Sequence, residues 1–364
     1  MTNIIAFVTD LFNSNPDVSD IHFREGRPAR VRMHGTLIAN NDVIPTREGI
    51  IDLLFSDRHN AGVASADELA AKVLGRKEEH DFSMSLGGVR ARGTLFAQDG
   101  GKYGVALRRI PGSPPTIEQL ALPEFIRDRV AEASKGLFLV TGATGSGKST
   151  TLAAAVRHIN ENSARHILTL EDPVEFVHQD ARSLVTQRVV TKDSLNFGTG
   201  LRAAMRQDPD VIMIGELRDL ETVKAAMDAA NTGHLVLGTL HTMSASQTVD
   251  RALSFFPAED KEWAAQVLAS VLLGVMSQVL VPRISGGRQL CYELMINTLQ
   301  VRNHIQARNL KNIFNEMDTG SSMGHVLLNR NLEQQVREGV ISPEDAAYAS
   351  YDPTKLSFWG KLGG

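Results

Sequence analysis

Leu137-Phe138-Leu139-Val140-Thr141-Gly142-Ala143-Thr144-Gly145-Ser146-Gly147-Lys148-Ser149-Thr150 is the stretch on which the fold turns: an apolar run, then a glycine-rich turn that closes on Lys-Ser-Thr. Consecutive apolar residues fit a strand buried on both faces, and Leu152, Ala153 and Val156 carry on a helix that opens at Lys148. In that setting the glycines let the backbone curl so that several N–H groups face one phosphate. Lys148 then reaches the β- and γ-phosphates, and the Ser149 hydroxyl binds Mg²⁺. Gly142, Ala143, Thr144, Gly145, Ser146, Gly147, Lys148, Ser149 and Thr150 are the candidate nucleotide-binding residues. A complete loop of this kind between strand and helix implies binding of a nucleoside triphosphate, rather than a flexible Gly/Ser connection.

Outward from the loop, strands and helices alternate. Leu137–Thr141, Ile167–Leu170, Val185–Gln187, Val211–Ile214 and Leu235–Thr239 read as strands. Ser149–Asn160, Phe197–Gln207 and Leu220–Asn231 read as helices. The alternation predicts an α/β fold with a mainly parallel sheet. The apolar stretch Ala264–Val281 is near the lower limit for a membrane span. Gln266, Ser270, Ser277 and Gln278 give it a polar side at helical intervals, so the expectation is a buried helix of the core. The last hundred residues read as helical, with Ser342 capping a helix that starts at Pro343-Glu344-Asp345.

The first 110 residues have a different pattern. A helix over Ile4–Phe12 precedes Ser19-Asp20-Ile21-His22-Phe23 and the strand from Ala29 to His34-Gly35. A polar helical segment spans Arg47 to Leu74, and strands Val89–Phe96 and Tyr103–Ile110 are joined by the turn Asp99-Gly100-Gly101. Pro111-Gly112-Ser113-Pro114-Pro115-Thr116 then interrupts any regular element. The expected organisation is an N-terminal α+β domain over 1–112, a linker over 113–120 and a nucleotide-binding domain over 121–364.

The chain has 364 residues, enough for two domains, and is 42% hydrophobic with a net charge of −4. That balance gives no electrostatic basis for nucleic-acid or membrane binding, and neither is expected. The single cysteine, Cys291, excludes an intramolecular disulfide and any multi-cysteine zinc site, which fits a reducing cytosol. Met1–Phe12 lacks a basic flank and is broken by Asp10, so it does not read as a signal peptide.

Three further boxes carry chemistry. Val211-Ile212-Met213-Ile214 ends in Gly215-Glu216-Leu217-Arg218-Asp219, which puts the Glu216 carboxylate at the carboxyl end of a buried strand. Glu171-Asp172-Pro173-Val174-Glu175-Phe176 follows another strand with three carboxylates, the groups needed to orient an attacking water and to hold a metal's waters. Thr232-Gly233-His234 and Leu240-His241-Thr242 bracket one apolar strand. The two histidines are too far apart along it to chelate one ion, and spacing alone does not separate a functional histidine from a structural one.

In this order, the boxes resemble the hexameric secretion ATPases of type II secretion, type IV pili and type IV secretion. Within that family the similarity is greatest to the pilus retraction type, and it extends over nearly the whole chain, from Ser19-Asp20-Ile21-His22 to the C-terminal helices. The resemblance implies a RecA-like P-loop NTPase core, a smaller N-terminal α+β domain of PAS-like type, and C-terminal helices. It also implies ATP and Mg²⁺, a homo-hexamer, and a cytoplasmic location held at the inner membrane through a platform protein.

By the same resemblance, Glu175 polarises the attacking water and Glu216 holds Mg²⁺ through water. Glu171 and Asp172 lie beside Glu175, while His234 and His241 sense the nucleotide. Arg92 and Arg108 reach the γ-phosphate, with Arg90 and Arg109 as adjacent rivals. Whether Glu175 or Glu216 is the general base, and which arginine dominates, stays open at this level. The short chain without a tetracysteine insertion matches the retraction type. Gln300-Val301-Arg302-Asn303-His304-Ile305 matches that type's coupling helix, with Arg302 and Asn303 as coupling residues. Gln300 and His304 depart from its pattern, and Phe197-Gly198-Thr199-Gly200 carries more glycine than expected. A conjugative or effector type IV secretion ATPase is the alternative, ahead of a non-hydrolysing, nucleotide-gated adaptor.

Overall fold

A computed structural model describes residues 3–15, 17–33, 36–56, 63–110 and 112–362. His34, Gly35, Pro111 and residues 57–62 of the expected Arg47–Leu74 segment lie outside the described residues. The chain divides into two compact units, Met1–Ser113 and Pro114–Gly364.

In the first unit, β1 (Val18–Arg24), β2 (Arg27–Met33), β3 (Thr36–Asn40), β4 (His80–Leu86), β5 (Val89–Gln98) and β6 (Lys102–Ile110) form an antiparallel sheet. Its order among the described residues is β3-β2-β1-β6-β5-β4. Alternation along each strand sends Ile21, Phe23, Val31, Leu95, Val105 and Leu107 into one core with Ile4, Val8 and Phe12 of α1 (Ile4–Ser14) and Ile50, Leu53 and Leu54 of α2 (Arg47–Phe55). A short α3 (Ala66–Ala70) adds Leu69.

The opposite face is cationic. Asp20 pairs in register with Arg32 and Arg108, and Arg108 pairs with Arg92, so these side chains stand on one face together with Arg30 and Arg90. Arg109 faces the other way and donates from Nη1 to the Asn15 carbonyl at 3.2 Å. The sequence had left Arg109 as a rival to Arg108; the pleat separates the two.

The second unit holds a sheet ordered β13-β12-β7-β11-β10-β8-β9 among the described residues. It is built from β7 (Gly136–Thr141), β8 (His166–Glu171), β9 (Leu184–Val189), β10 (Val211–Ile214), β11 (Leu235–Leu240), β12 (Leu272–Pro282) and β13 (Arg288–Ile296). β7 to β12 run parallel, and only β13 is antiparallel to its neighbour.

Every residue of β7 is buried. Leu137 and Leu139 pack on the side that holds Leu201 of α5 (Phe197–Ala204), Val223 and Ala226 of α6 (Leu220–Asn231), Val249 of α7 (Ala245–Ser254) and Leu268 of α8 (Lys261–Val271). Phe138 and Val140 pack on the other side, against Leu152, Val156 and Ile159 of α4 (Lys148–Asn162). Helices on both faces explain why this strand reads as an unbroken apolar run.

The glycines of α5 have a packing reason. A Cβ at Gly198 would come within 2.6 Å of the Glu221 side chain, and one at Gly200 within 2.9 Å of Ser194 Oγ and 3.1 Å of Leu170. Beyond the sheet follow α9 (Leu299–Gln306), α10 (Lys311–Thr319), α11 (Leu328–Arg337) and α12 (Pro343–Ala349). Ser342 caps α12, its hydroxyl accepting from the Asp345 N–H at 3.0 Å.

The expected helix over Ala264–Val281 is overturned. α8 ends at Val271 and the chain passes directly into β12, so Ser277 and Gln278 lie on a strand. The reading of the last hundred residues as helical is corrected with it, since β12 and β13 pair through that region. β3 and β4 were also absent from the sequence reading.

Asp20, 7% exposed, organises the cationic face. Ser19 Oγ and Arg108 Nε donate to its carboxylate at 2.7 and 2.8 Å, and Arg32 Nε lies 3.7 Å away. Burial raises its pKa, but the bonds from Arg108 and Ser19 and the charges of Arg108 and His22 outweigh that and hold it below the ordinary 3.8. A lowered carboxylate stabilises the fold above pH 3.8 and loses that contribution as pH falls through the folded value. Asp20→Asn is therefore expected to cost about 1–3 kcal/mol at neutral pH. In thermal melts, the gap between variant and parent should close as pH drops below about 4; a gap that persists there would refute the pairing.

Candidate nucleotide site

The phosphate loop is seated where two backbones nearly touch. Gly142 has φ +141°, and a Cβ there would lie 2.3 Å from the Gln278 carbonyl of β12 and 2.6 Å from Ser146 Oγ. Gly147, at φ +90°, caps α4 in the left-handed conformation, which turns the chain sharply into the helix. Ala143, Thr144, Gly145 and Ser149 are exposed, whereas Ser146 and Lys148 are buried.

Lys148 Nζ donates to the carbonyls of Gly142 and Ala143 at 2.9 and 3.0 Å and lies 3.4 Å from His241 Nδ1. Ser146 Oγ is buried and has no hydrogen-bond partner among the described residues. A curled backbone, an orphaned buried hydroxyl and a lysine parked on carbonyl oxygens together form a cradle suited to a polyphosphate.

Carboxylates ring the loop. Burial lowers the Lys148 pKa, while the charges of Glu216 and Glu175 raise it, so both acids act on this ammonium group. Glu216 follows Gly215 at the end of β10, and its Oε1 lies 3.5 Å from His241 Nε2. That segment is fixed: the Thr239 hydroxyl donates to the Gly215 carbonyl, and Leu217 N donates to Thr239 O at 2.9 Å.

Glu171 is buried. It accepts from Thr169 Oγ1 at 2.8 Å, from Gln187 Nε2 at 2.9 Å and from the Glu175 N–H at 3.4 Å. Burial pushes its carboxyl above the usual range, against those donors. It anchors the turn that presents Glu175, which is half-buried, and Asp172, which is exposed.

The two histidines separate. His241 sits at the carboxyl end of β11 beside Lys148, whereas His234 precedes the amino end of that strand, roughly 20 Å away at strand rise. There His234 Nδ1 lies 2.9 Å from the Ala229 carbonyl. The strand direction therefore puts His234 at the end of β11 opposite the phosphate loop of its own subunit. Arg92 and Arg108 lie in the other unit. Arg302 and Asn303 are exposed on α9, whose Val301 and Ile305 are buried.

Sequence reading missed Gln278. Its Nε2 donates to the Ser146 carbonyl at 2.7 Å and its Oε1 accepts from Thr151 Oγ1 at 2.9 Å, which ties the loop to the first turn of α4. The available signal was a Ser-Gln pair inside an otherwise apolar run.

A parallel sheet with a glycine-rich loop, a buried lysine and strand-end carboxylates at one edge defines a P-loop nucleoside triphosphatase. Residues 105–338 match the family described as type II/IV secretion system protein, and the chain belongs to it. It is 41% identical to the type IV pilus retraction ATPase PilT of Pseudomonas aeruginosa over 342 residues, covering 93% of this chain and 96% of that one. A twitching motility protein of Neisseria gonorrhoeae is 43% identical over 330 residues, covering 90% and 86%. Among solved structures, the pilus retraction motor PilT with bound ADP superposes with a TM-score of 0.86 at 39% identity, covering 98% and 99%. The Legionella pneumophila ATPase DotB gives 0.79 at 26% identity, covering 96% and 95%. The chain is an ATPase.

Gln278→Leu removes both ties while keeping most of the side-chain volume. It is expected to weaken ADP binding about tenfold in a fluorescence titration, as the loop loses its fixed curl. An unchanged affinity would show that the loop holds its shape without this residue.

Proposed function

We propose that the chain is a ring-forming ATPase motor that drives retraction of a type IV pilus. The observation that carries this reading is the loop with Lys148 at its centre and Glu175 and Glu216 around it, in a chain 41% identical to a pilus retraction ATPase along almost its whole length.

The incoming β- and γ-phosphates take the loop N–H groups, and Lys148 exchanges the carbonyls of Gly142 and Ala143 for phosphate oxygens. Glu175, held by Glu171 through its own N–H, orients the attacking water. His241, between Lys148 and Glu216, registers whether the γ-phosphate is present. Arg92 and Arg108 neutralise charge on the transferring phosphoryl group. Their guanidiniums stay charged at any working pH.

The Ser149 hydroxyl and, through water, the Glu216 carboxylate are the residues that would hold Mg²⁺. They offer hard oxygen donors, and the described residues hold no group of three or more metal-ligating side chains. Such a donor set suits an ion that completes its shell with phosphate and water. Bound there, Mg²⁺ would supply further neutralisation of phosphate charge.

No helix of the described residues is long and apolar enough to cross a membrane. In this reading the motor is held at a cytoplasmic membrane face by a partner protein, for which the outward residues of α9 are the candidate contact. The greater identity and TM-score to the pilus retraction motor PilT than to the ATPase DotB support the retraction reading.

Lys148→Ala and Glu216→Ala are expected to lower ATP turnover at least a hundredfold in a phosphate-release assay; parental turnover in either would refute the site. Sedimentation with ATP and Mg²⁺ should give a hexamer, and monomer alone would refute the ring. In cells, Arg302→Ala should abolish twitching while purified protein retains its ATPase rate. Loss of both would mark α9 as structural.

A further inference from the structure

Glu293, on β13 and 2% exposed, carries a carboxylate that the site described so far does not use. Its Oε1 accepts from the Ala245 N–H at 2.8 Å, its Oε2 accepts from the Tyr351 hydroxyl, and the Leu328 N–H donates to the same carboxylate. Ala245 and Leu328 are the first residues of α7 and α11, both ten residues long. One buried acid thus meets the positive ends of two helices. α11 has Leu327 at its cap position, which offers no side-chain acceptor, so Glu293 takes that role from another element.

α7 leads directly to the nucleotide. It begins just after His241-Thr242-Met243-Ser244, and Ser277, paired in register with Glu293, donates to the Met243 carbonyl at 2.8 Å. Thr248 on α7 donates to Thr141 Oγ1 at 3.3 Å and sits 2.7 Å from Thr242 Oγ1. Thr141 immediately precedes Gly142, so this one helix touches both the base of the phosphate loop and the residue after His241. Tyr351 comes from the C-terminal segment, which is held to α11 by Ser350 Oγ donating to Asn329 Oδ1 at 2.7 Å.

We infer that Glu293 and Tyr351 are positioning residues for ATP hydrolysis, which set the seat of α7 and through it the distance between His241 and the phosphate loop. The inference rests on the ATPase reading of the site. Loss of the phenolic hydroxyl leaves Glu293 Oε2 short of a donor inside the core and lets α7 shift, which misplaces the groups around the γ-phosphate without removing any that binds the nucleotide.

The test uses the full chain with ATP and Mg²⁺. Tyr351→Phe should lower kcat about tenfold, with KM for ATP and Kd for ADP within about twofold of the parent. Ile341→Val trims the C-terminal core, where Ile341 packs with Leu332 and Cys291, and removes no bond to Glu293 or Tyr351; it should lower Tm and leave kcat unchanged. In a double-mutant cycle, Tyr351→Phe should add no further loss to Glu293→Gln. An unchanged kcat in Tyr351→Phe, an equal kcat loss in Ile341→Val, or additive losses in the cycle would each overturn the assignment. If Glu293→Gln does not fold, the Tyr351→Phe and Ile341→Val pair decides alone. Parental turnover in Lys148→Ala would instead refute the ATPase site itself.

Discussion

The nucleotide-binding unit depends on a near-contact between two backbones, Gly142 at the end of β7 and the Gln278 carbonyl on β12. A methyl group at position 142 would sit 2.3 Å from that oxygen. Because β12 pairs with β7 in parallel, its chain runs along the loop, and Gln278 can hold the loop and the helix after it with the two ends of one amide. The hydroxyls of Thr141, Ser277 and Thr248 tie the same edge to the segment after His241. The loop is consequently held in its curl by contacts within the chain itself.

The N-terminal sheet solves a different problem. Its inner face is a hydrophobic core, while its outer face crowds Arg30, Arg32, Arg90, Arg92 and Arg108, whose mutual repulsion is relieved at Asp20. Arg108 is anchored through Nε alone, on a side chain 61% exposed, which leaves both Nη groups without a protein partner among the described residues. A guanidinium held at its base and open at its tip is suited to a second, temporary anion.

Much of this was legible in the sequence, and the rest was not for definite reasons. The phosphate loop, the carboxylates after β8 and β10, and the parallel sheet are written locally, as apolar runs followed by short polar boxes. β12 was misread because a strand buried on both faces shows no alternation, and its few polar residues happened to fall at helical spacing. Arg108 and Arg109 are neighbours in the chain, and only the register of β6 assigns them to opposite faces. His234 and His241 likewise look equivalent until the direction of β11 is known. The bonding roles of Gln278, Asp20 and Glu293 were not readable because their partners lie 132, 88 and 48 residues away. Long-range satisfaction of buried polar groups leaves no trace in a short window.

The division of labour within α9 bears on how such machines diversify. Val301 and Ile305 lock the helix into the core of the nucleotide-binding unit, while Leu299, Arg302 and Asn303 are presented outward. On the coupling role proposed for α9, exchange at the outward positions would change what the helix meets while Val301 and Ile305 keep it seated. On that reading a duplicated copy of this chain could acquire a new client by drift on a few surface residues while its engine stays the same, and Gln300 and His304 lie on the helix where such drift would first be recorded.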